Sequence, residues 1–179
     1  VISVDEHRLL PEIGAITIRP LTDEDRVAYH RFCSQLSRED LRLRFGAAIN
    51  IGAALCPRQL ATDPAREAVF AAYCQEEDAI LGVARLALVC PEEADIALIV
   101  RSDRKRRGLG RALLGRLVSH ARARGLPALC GDVLYENYPA AQFAKAAGFV
   151  SVGPVGLMRH VRLALPLDDK GNNDVRTVA

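Results

Sequence analysis

Val100-Arg101-Ser102-Asp103-Arg104-Lys105-Arg106-Arg107-Gly108-Leu109-Gly110-Arg111-Ala112-Leu113-Leu114 is the stretch that decides the fold. It joins an apolar run that reads as a strand, Ala94 to Val100, to an amphipathic run from Gly108 to Ala123. In that second run Leu109, Leu113, Leu117 and Ala121 recur on one helical face, and Gly125-Leu126-Pro127 supplies the stop. Free amides at a helix start attract anions, and glycines let an oxygen approach the backbone without a Cβ in the way. A polyphosphate ligand is implied. The chain has no G-x-x-x-x-G-K-[ST], and Gly110-Arg111-Ala112-Leu113 fails G-x-G-x-x-G, so nucleoside triphosphates and dinucleotides lose ground.

Outward from this loop, Glu67 to Cys74 and Ile80 to Cys90 read as strands joined by the polar spacer Gln75-Glu76-Glu77-Asp78, an antiparallel hairpin that the run from Ala94 continues. Upstream, Ile13 to Pro20 alternates as a strand. Thr22 is an N-cap before Asp23, Glu24 and Asp25, and a helix runs to about Gln35. A second short helix is expected from Ser37 to Leu43. Gly46 to Pro57 is poorly periodic, with another helical turn at Pro57 to Ala61. Downstream, Leu129 to Leu134 is a strand and Pro139 to Ala147 a helix ended by Gly148. Phe149 to Val152 and Leu157 to Leu165 close with two strands. This order is an α+β fold: a mixed, mostly antiparallel sheet flanked by helices, with one β-α-β crossover. One domain over residues 13–166 is expected, with flexible ends at 1–12 and 167–179.

Half the 179 residues are hydrophobic and the formal net charge is +2, which describes a folded domain without a strong electrostatic preference for a partner. Cys33, Cys56, Cys74, Cys90 and Cys130 form no C-x-x-C pair and no Cys/His cluster, so buried reduced thiols and no metal are expected. No apolar run is long enough to span a membrane, and residues 1–12 lack the pattern of a leader; cytoplasm is the expected compartment, with no membrane partner.

The run Lys105-Arg106-Arg107-Gly108-Leu109-Gly110, set between strand and helix, resembles motif A of the GNAT superfamily of N-acyltransferases, a Q/R-x-x-G-x-G/A loop. Lys105 stands where glutamine or arginine is usual. Asn137, Ala140 and the run Ala146-Ala147-Gly148-Phe149 resemble the family's second signature. Gln35 to Phe45 and Ala94 to Asp103 look like motifs of the acetyltransferase domain of bacterial Pat-type protein-lysine acetyltransferases. In several members of that group an acyl-CoA-synthetase-like or cyclic-nucleotide-binding module is fused to the domain; these 179 residues contain neither.

The resemblance implies acetyl-CoA as cosubstrate. Its diphosphate would lie on Lys105, Arg106, Arg107, Gly108, Leu109, Gly110 and Arg111, its pantetheine on backbone groups of Leu98, Ile99 and Val100, and Asn137 would contribute from the second signature. It implies transfer of the acetyl group to a primary amine. The amine must first lose a proton, since a lysine has a reference pKa of about 10.4. Asp95 matches a position where Pat-type enzymes carry a glutamate, and is the candidate base, acting directly or through water. Many family members place a tyrosine acid where this chain has Ala144. Tyr138 is nearby in sequence and is expected to pack at the helix start.

Two other readings compete. The arginines from Arg101 to Arg124 also fit a nucleic-acid-binding module, against which stand the near-neutral total and the lack of an aromatic stacking pattern. A non-catalytic acyl-CoA sensor of the same fold fits the missing tyrosine and the shortened Asp95. The acceptor, small molecule or protein lysine, and the oligomeric state stay open.

Overall fold

A computed structural model describes residues 5–45, 63–91, 93–155 and 160–167. In chain order the elements are β1 (Glu6–Leu10), β2 (Gly14–Pro20), α1 (Arg26–Ser34), α2 (Arg38–Phe45), β3 (Glu67–Cys74), β4 (Ala79–Cys90), β5 (Glu93–Val100), α3 (Leu109–Ala123), β6 (Ala128–Leu134), α4 (Tyr138–Ala146), β7 (Val150–Val155) and β8 (His160–Pro166). The strands form one sheet in the order β1-β2-β3-β4-β5-β6-β8-β7. Of the described pairings only β5 with β6 is parallel, which is the crossover expected around α3. Contacts divide the chain into two compact units, Val1–Ala87 with Ile96–Leu117 and Leu88–Asp95 with Val118–Ala179.

In the first unit β3 has an apolar residue at nearly every position because both of its faces are covered. Val69 and Ala71 join Ile80, Val83, Tyr29, Phe32, Cys33, Leu36 and Leu41 in the core beneath α1 and α2. On the opposite face α3 buries Leu109, Leu113 and Leu117. The helix comes unusually close to β4 at Gly82, where a Cβ would lie 2.8 Å from Leu113 Cδ1 and 3.3 Å from the Ile99 carbonyl oxygen. The β3–β4 register shifts between Ala72 and Tyr73, leaving Leu81 as the extra residue of a bulge. Its carbonyl accepts from the Arg101 amide at 2.8 Å, so the irregularity in β4 fixes where the basic loop begins.

Entry into α1 is set by Asp25. Its carboxylate takes a two-pronged ion pair from Arg19 at 2.6 and 2.8 Å, and bonds from the Thr22 amide at 2.9 Å and hydroxyl at 3.1 Å. Thr22 is therefore bonded by an acid that the sequence placed merely in the first turn.

In the second unit Glu93, Ala94 and Asp95 lie parallel to Ala128, Leu129 and Cys130, while β6 pairs antiparallel with β8, and β8 with β7. Asn137 caps α4 by accepting from the Ala140 amide at 3.2 Å. The helix ends with the Phe149 amide on the Ala144 carbonyl and the Gly148 amide on the Lys145 carbonyl, the paired bonds of a glycine stop.

Three expectations need correction. Residues 1–12 are not simply a flexible end: Glu6–Leu10 form an edge strand on β2, and their charged pattern hid it because one edge of an edge strand faces solvent. Cys33, Cys74 and Cys130 are buried as expected, whereas Cys90 at the end of β4 is exposed. Tyr138 does not pack at the start of α4; it is 72% exposed. Cys56, the expected helical turn at 57–61 and the tail from 168 lie outside the described residues.

Burial pushes the Asp25 carboxyl up, but Arg19 and Thr22 pull it further down, so it titrates below the usual carboxylate range. A depressed folded value means stability present above the unfolded pKa and lost as pH falls through the folded one. Asp25→Asn is expected to cost about 2–3 kcal/mol at neutral pH. The wild-type loss of stability below the ordinary carboxylate range should be shallower in the variant, as urea denaturation across acid pH will show.

Candidate functional site

β5 ends at Val100, and the chain then makes a single 3-10 turn, Ser102–Arg104, before the extended Lys105. Arg106 has φ +59° and Gly108 φ +87°, so left-handed backbone brackets Arg107 and redirects the chain into α3. Glycine accepts that conformation freely; arginine does so at a cost of order 1 kcal/mol or more and must be held there. A Cβ at Gly108 would also meet Leu10 at 3.4 Å.

Arg101, 6% exposed, is the hub of the loop. Its guanidinium donates to Glu77 at 2.8 Å, to both oxygens of Asp103 at 2.7 and 3.1 Å, and to Gln35 at 3.4 Å. Burial lowers its pKa, but the two carboxylates raise it further, and the net direction is upward. Glu77 also accepts from Arg104 at 2.8 Å. Burial raises the Glu77 carboxyl, and these two arginines hold it below the usual range. Lys105, expected to complement a diphosphate, is ion-paired with Asp40 of α2. Arg107 lies 3.8 Å from the Glu12 carboxylate and donates to the Glu12 carbonyl at 3.3 Å. Among the described residues Arg106 and Arg111 make no ion pair.

The first intrahelical bond of α3 runs from the Ala112 amide to the Gly108 carbonyl at 3.0 Å. The amides of Leu109, Gly110 and Arg111 therefore have no intrahelical acceptor. The loop before them lines an open depression of ≈ 540 Å³, bounded by Glu12, Ser102, Asp103, Lys105, Arg106 and Arg107. Of the loop candidates, Lys105, Arg106 and Arg107 share this depression, and Gly108 to Arg111 follow as the start of α3, whose dipole favours negative charge.

The other candidates sit on regular elements. Leu98, Ile99 and Val100 occupy the end of β5 that leads into the loop. The β5–β6 ladder stops at Asp95, so the β5 edge from Ile96 to Val100 carries no ladder partner there among the described residues. Asp95 is half-buried on β5 opposite Cys130, and strand alternation gives it the same face as Ala97 and Ile99. Asn137 spends its side-chain oxygen on the α4 cap. Ala144, in the place of a tyrosine acid, is buried. The sequence alone does not single out Asp40, Glu77 and Glu12; each meets its loop partners across 24 to 95 positions, and no local pattern reports such a pair. Among the described residues no group of three or more His, Cys, Asp or Glu is placed to hold a metal, and no helix is long and apolar enough to cross a membrane.

The sequence profile of the Acetyltransferase (GNAT) family matches residues 35–149, the span from the end of α1 through the loop to the stop of α4, and the chain belongs to that family. Among curated proteins, the acetyltransferase PA5475 of Pseudomonas aeruginosa is 27% identical over 139 residues, 75% of each chain. Among solved structures, the GNAT domain of S. lividans PAT superposes with a TM-score of 0.83 at 24% identity, covering 91% of this chain and 97% of that one. The putative acetyltransferase yncA of Salmonella typhimurium, solved with its cofactor acetyl-CoA, gives 0.66 at 21% identity over 90% and 99% of the two chains. The mixed, mostly antiparallel sheet is that of this family, and the likeness to the Pat-type domain holds in the fold.

Arg101→Ala is expected to destabilise the fold by about 1–3 kcal/mol, less than a fully buried pair because Glu77 and Asp103 can be hydrated once released. Arg101→Lys should recover less than half of that, since one ammonium cannot replace a planar fork that reaches three side chains. Chemical denaturation of the two variants checks both values.

Proposed function

We propose that the chain transfers the acetyl group of acetyl-CoA to a primary amine, with a protein lysine among the acceptors to be tried first. The observation that carries this reading is the α3 N-terminus, whose first three amides lack an intrahelical acceptor and which follows directly on a loop whose Lys105, Arg106 and Arg107 line an open depression, in a chain of the GNAT family. The diphosphate of CoA fits such a site, because it needs short contacts from many donors more than one strong charge. The pantetheine would then run along the free edge of β5 as an added strand, on backbone groups of Leu98, Ile99 and Val100.

In the reaction the amine nitrogen attacks the thioester carbonyl carbon. The carbonyl oxygen gains negative charge, which a β5 amide stabilises, and the C–S bond breaks to give the amide and the CoA thiolate. Asp95 takes the ammonium proton before attack, directly or through a water; the second N–H proton leaves to solvent as the C–S bond breaks, and the thiolate is protonated from solvent. That last step follows from Ala144, which offers no acid where a tyrosine is common in the family. Asn137, carried over from the family's second signature, is the further candidate for a contact to the cosubstrate. No metal takes part in this scheme. The same alanine favours the second reading, an acyl-CoA sensor without turnover.

Thiol release from acetyl-CoA against a panel of polyamines, amino acids, aminoglycosides and lysine-bearing acyl-CoA synthetases separates the two readings; binding without release for any acceptor favours the sensor. In the enzyme, Asp95→Asn should lower kcat by about 10²–10⁴-fold with acetyl-CoA affinity nearly unchanged. The deficit should shrink at high pH, where more of the amine arrives deprotonated. Wild-type turnover in this variant at neutral pH removes Asp95 from the chemistry, and lost cofactor binding makes it structural.

A further inference from the structure

Ser37, Asp40 and Ser102 close a ring. The Ser37 amide donates to Ser102 Oγ at 2.9 Å, Ser102 Oγ donates to Asp40 Oδ2 at 2.5 Å, and the Asp40 amide donates to Ser37 Oγ at 3.0 Å. The other Asp40 oxygen receives Lys105 Nζ. The Asp40 side chain is 11% exposed, and the next residue, Leu41, is buried in the core under α1 and α2. The carboxylate is therefore fixed to the core of the first unit and grips the loop at two points, Ser102 and Lys105.

From this arrangement we infer that Asp40 is a positioning residue for the acyl-CoA loop, and that Lys105 acts as its strut instead of as a phosphate ligand. The proposal rests on the acyl-transfer reading above. Its physical reason lies in Arg106, which adopts left-handed backbone. Such a residue persists only when its flanks are over-determined, and here each neighbour is tied: Lys105 to Asp40, and Arg107 to Glu12. Releasing one flank lets Arg106 relax and carries the following amides away from the place where the diphosphate lands. Burial pushes the Asp40 carboxyl up, yet Lys105, Ser102 and Ser37 bring it below the usual range, so the strut has its full charge at neutral pH.

Charge alone makes the opposite prediction. If Asp40 merely competes with the diphosphate for Lys105, neutralising it frees a cation and removes an anion, and CoA binds more tightly. The sign of one substitution thus decides between the accounts.

Acetyl-CoA affinity by calorimetry, and KM and kcat by thiol release, are to be measured for wild type, Asp40→Asn, Lys105→Met and the double variant, each with its melting temperature. Positioning predicts that Asp40→Asn and Lys105→Met each weaken acetyl-CoA about tenfold, with kcat within about threefold of wild type. The double variant should be no weaker than the worse single one, because both remove the same tie. Tighter or unchanged binding in Asp40→Asn, or fully additive losses, overturns the proposal. Should Asp40→Asn fail to fold, Ser102→Ala, which removes the uncharged tie to the same carboxylate, decides instead: weaker binding supports positioning, and unchanged affinity overturns it. A wild type that binds no acetyl-CoA overturns the acyl-transfer reading itself, and this proposal with it.

Discussion

The buried guanidinium of Arg101 is the constraint on which the functional loop depends. Its amide is bonded to the bulge carbonyl of Leu81, and its side chain gathers Glu77 from the β3–β4 turn, Asp103 from the loop and Gln35 from the end of α1. An arginine can do this where a lysine cannot, because its donors are fixed in one plane and point to several acceptors at once. Burying a cation would be prohibitive without that compensation, and the residue is stable there only as part of the assembled loop. Strand end, hairpin turn and helix end are in this way held to one another before any ligand arrives.

This has an electrostatic corollary. The segment from Arg101 to Arg107 looks strongly basic in sequence, yet most of its cations are answered by acids of the same chain: Glu77, Asp103, Asp40 and Glu12. What is left for an anionic ligand is chiefly backbone: the amides that open α3, with Arg106 beside them. Such a site discriminates by geometry, since amides at a helix start reward a compact anion that reaches all of them.

Much of this was legible in the sequence because it is local. The glycines at 108 and 110, the four-residue recurrence of Leu109, Leu113 and Leu117, and the stops at Gly125 and Gly148 each report on their own few residues, and together they placed the loop and both following helices. The edge strand Glu6–Leu10 was not legible, since its polar start Glu6-His7-Arg8 breaks the alternation and it is defined by its ladder to β2; the turn Pro11-Glu12-Ile13 before Gly14 was the available signal. The exposed Cys90 and Tyr138 were misplaced because composition around a residue says little about which side of an element it faces. Nothing in the chain near Lys105 announces Asp40, 65 positions away, and the role of a charged side chain is settled by such non-local partners.

The central claim is that backbone amides at the start of α3 receive the diphosphate of acetyl-CoA. Residue-resolved amide hydrogen exchange with and without the ligand tests it most directly. The amides of Leu109, Gly110 and Arg111, which lack intrahelical acceptors, should slow markedly on binding, more than those in the middle of α3, whose bonds are already made. Saturating acetyl-CoA that leaves these three amides exchanging at their free rate, while protecting others, would contradict the account.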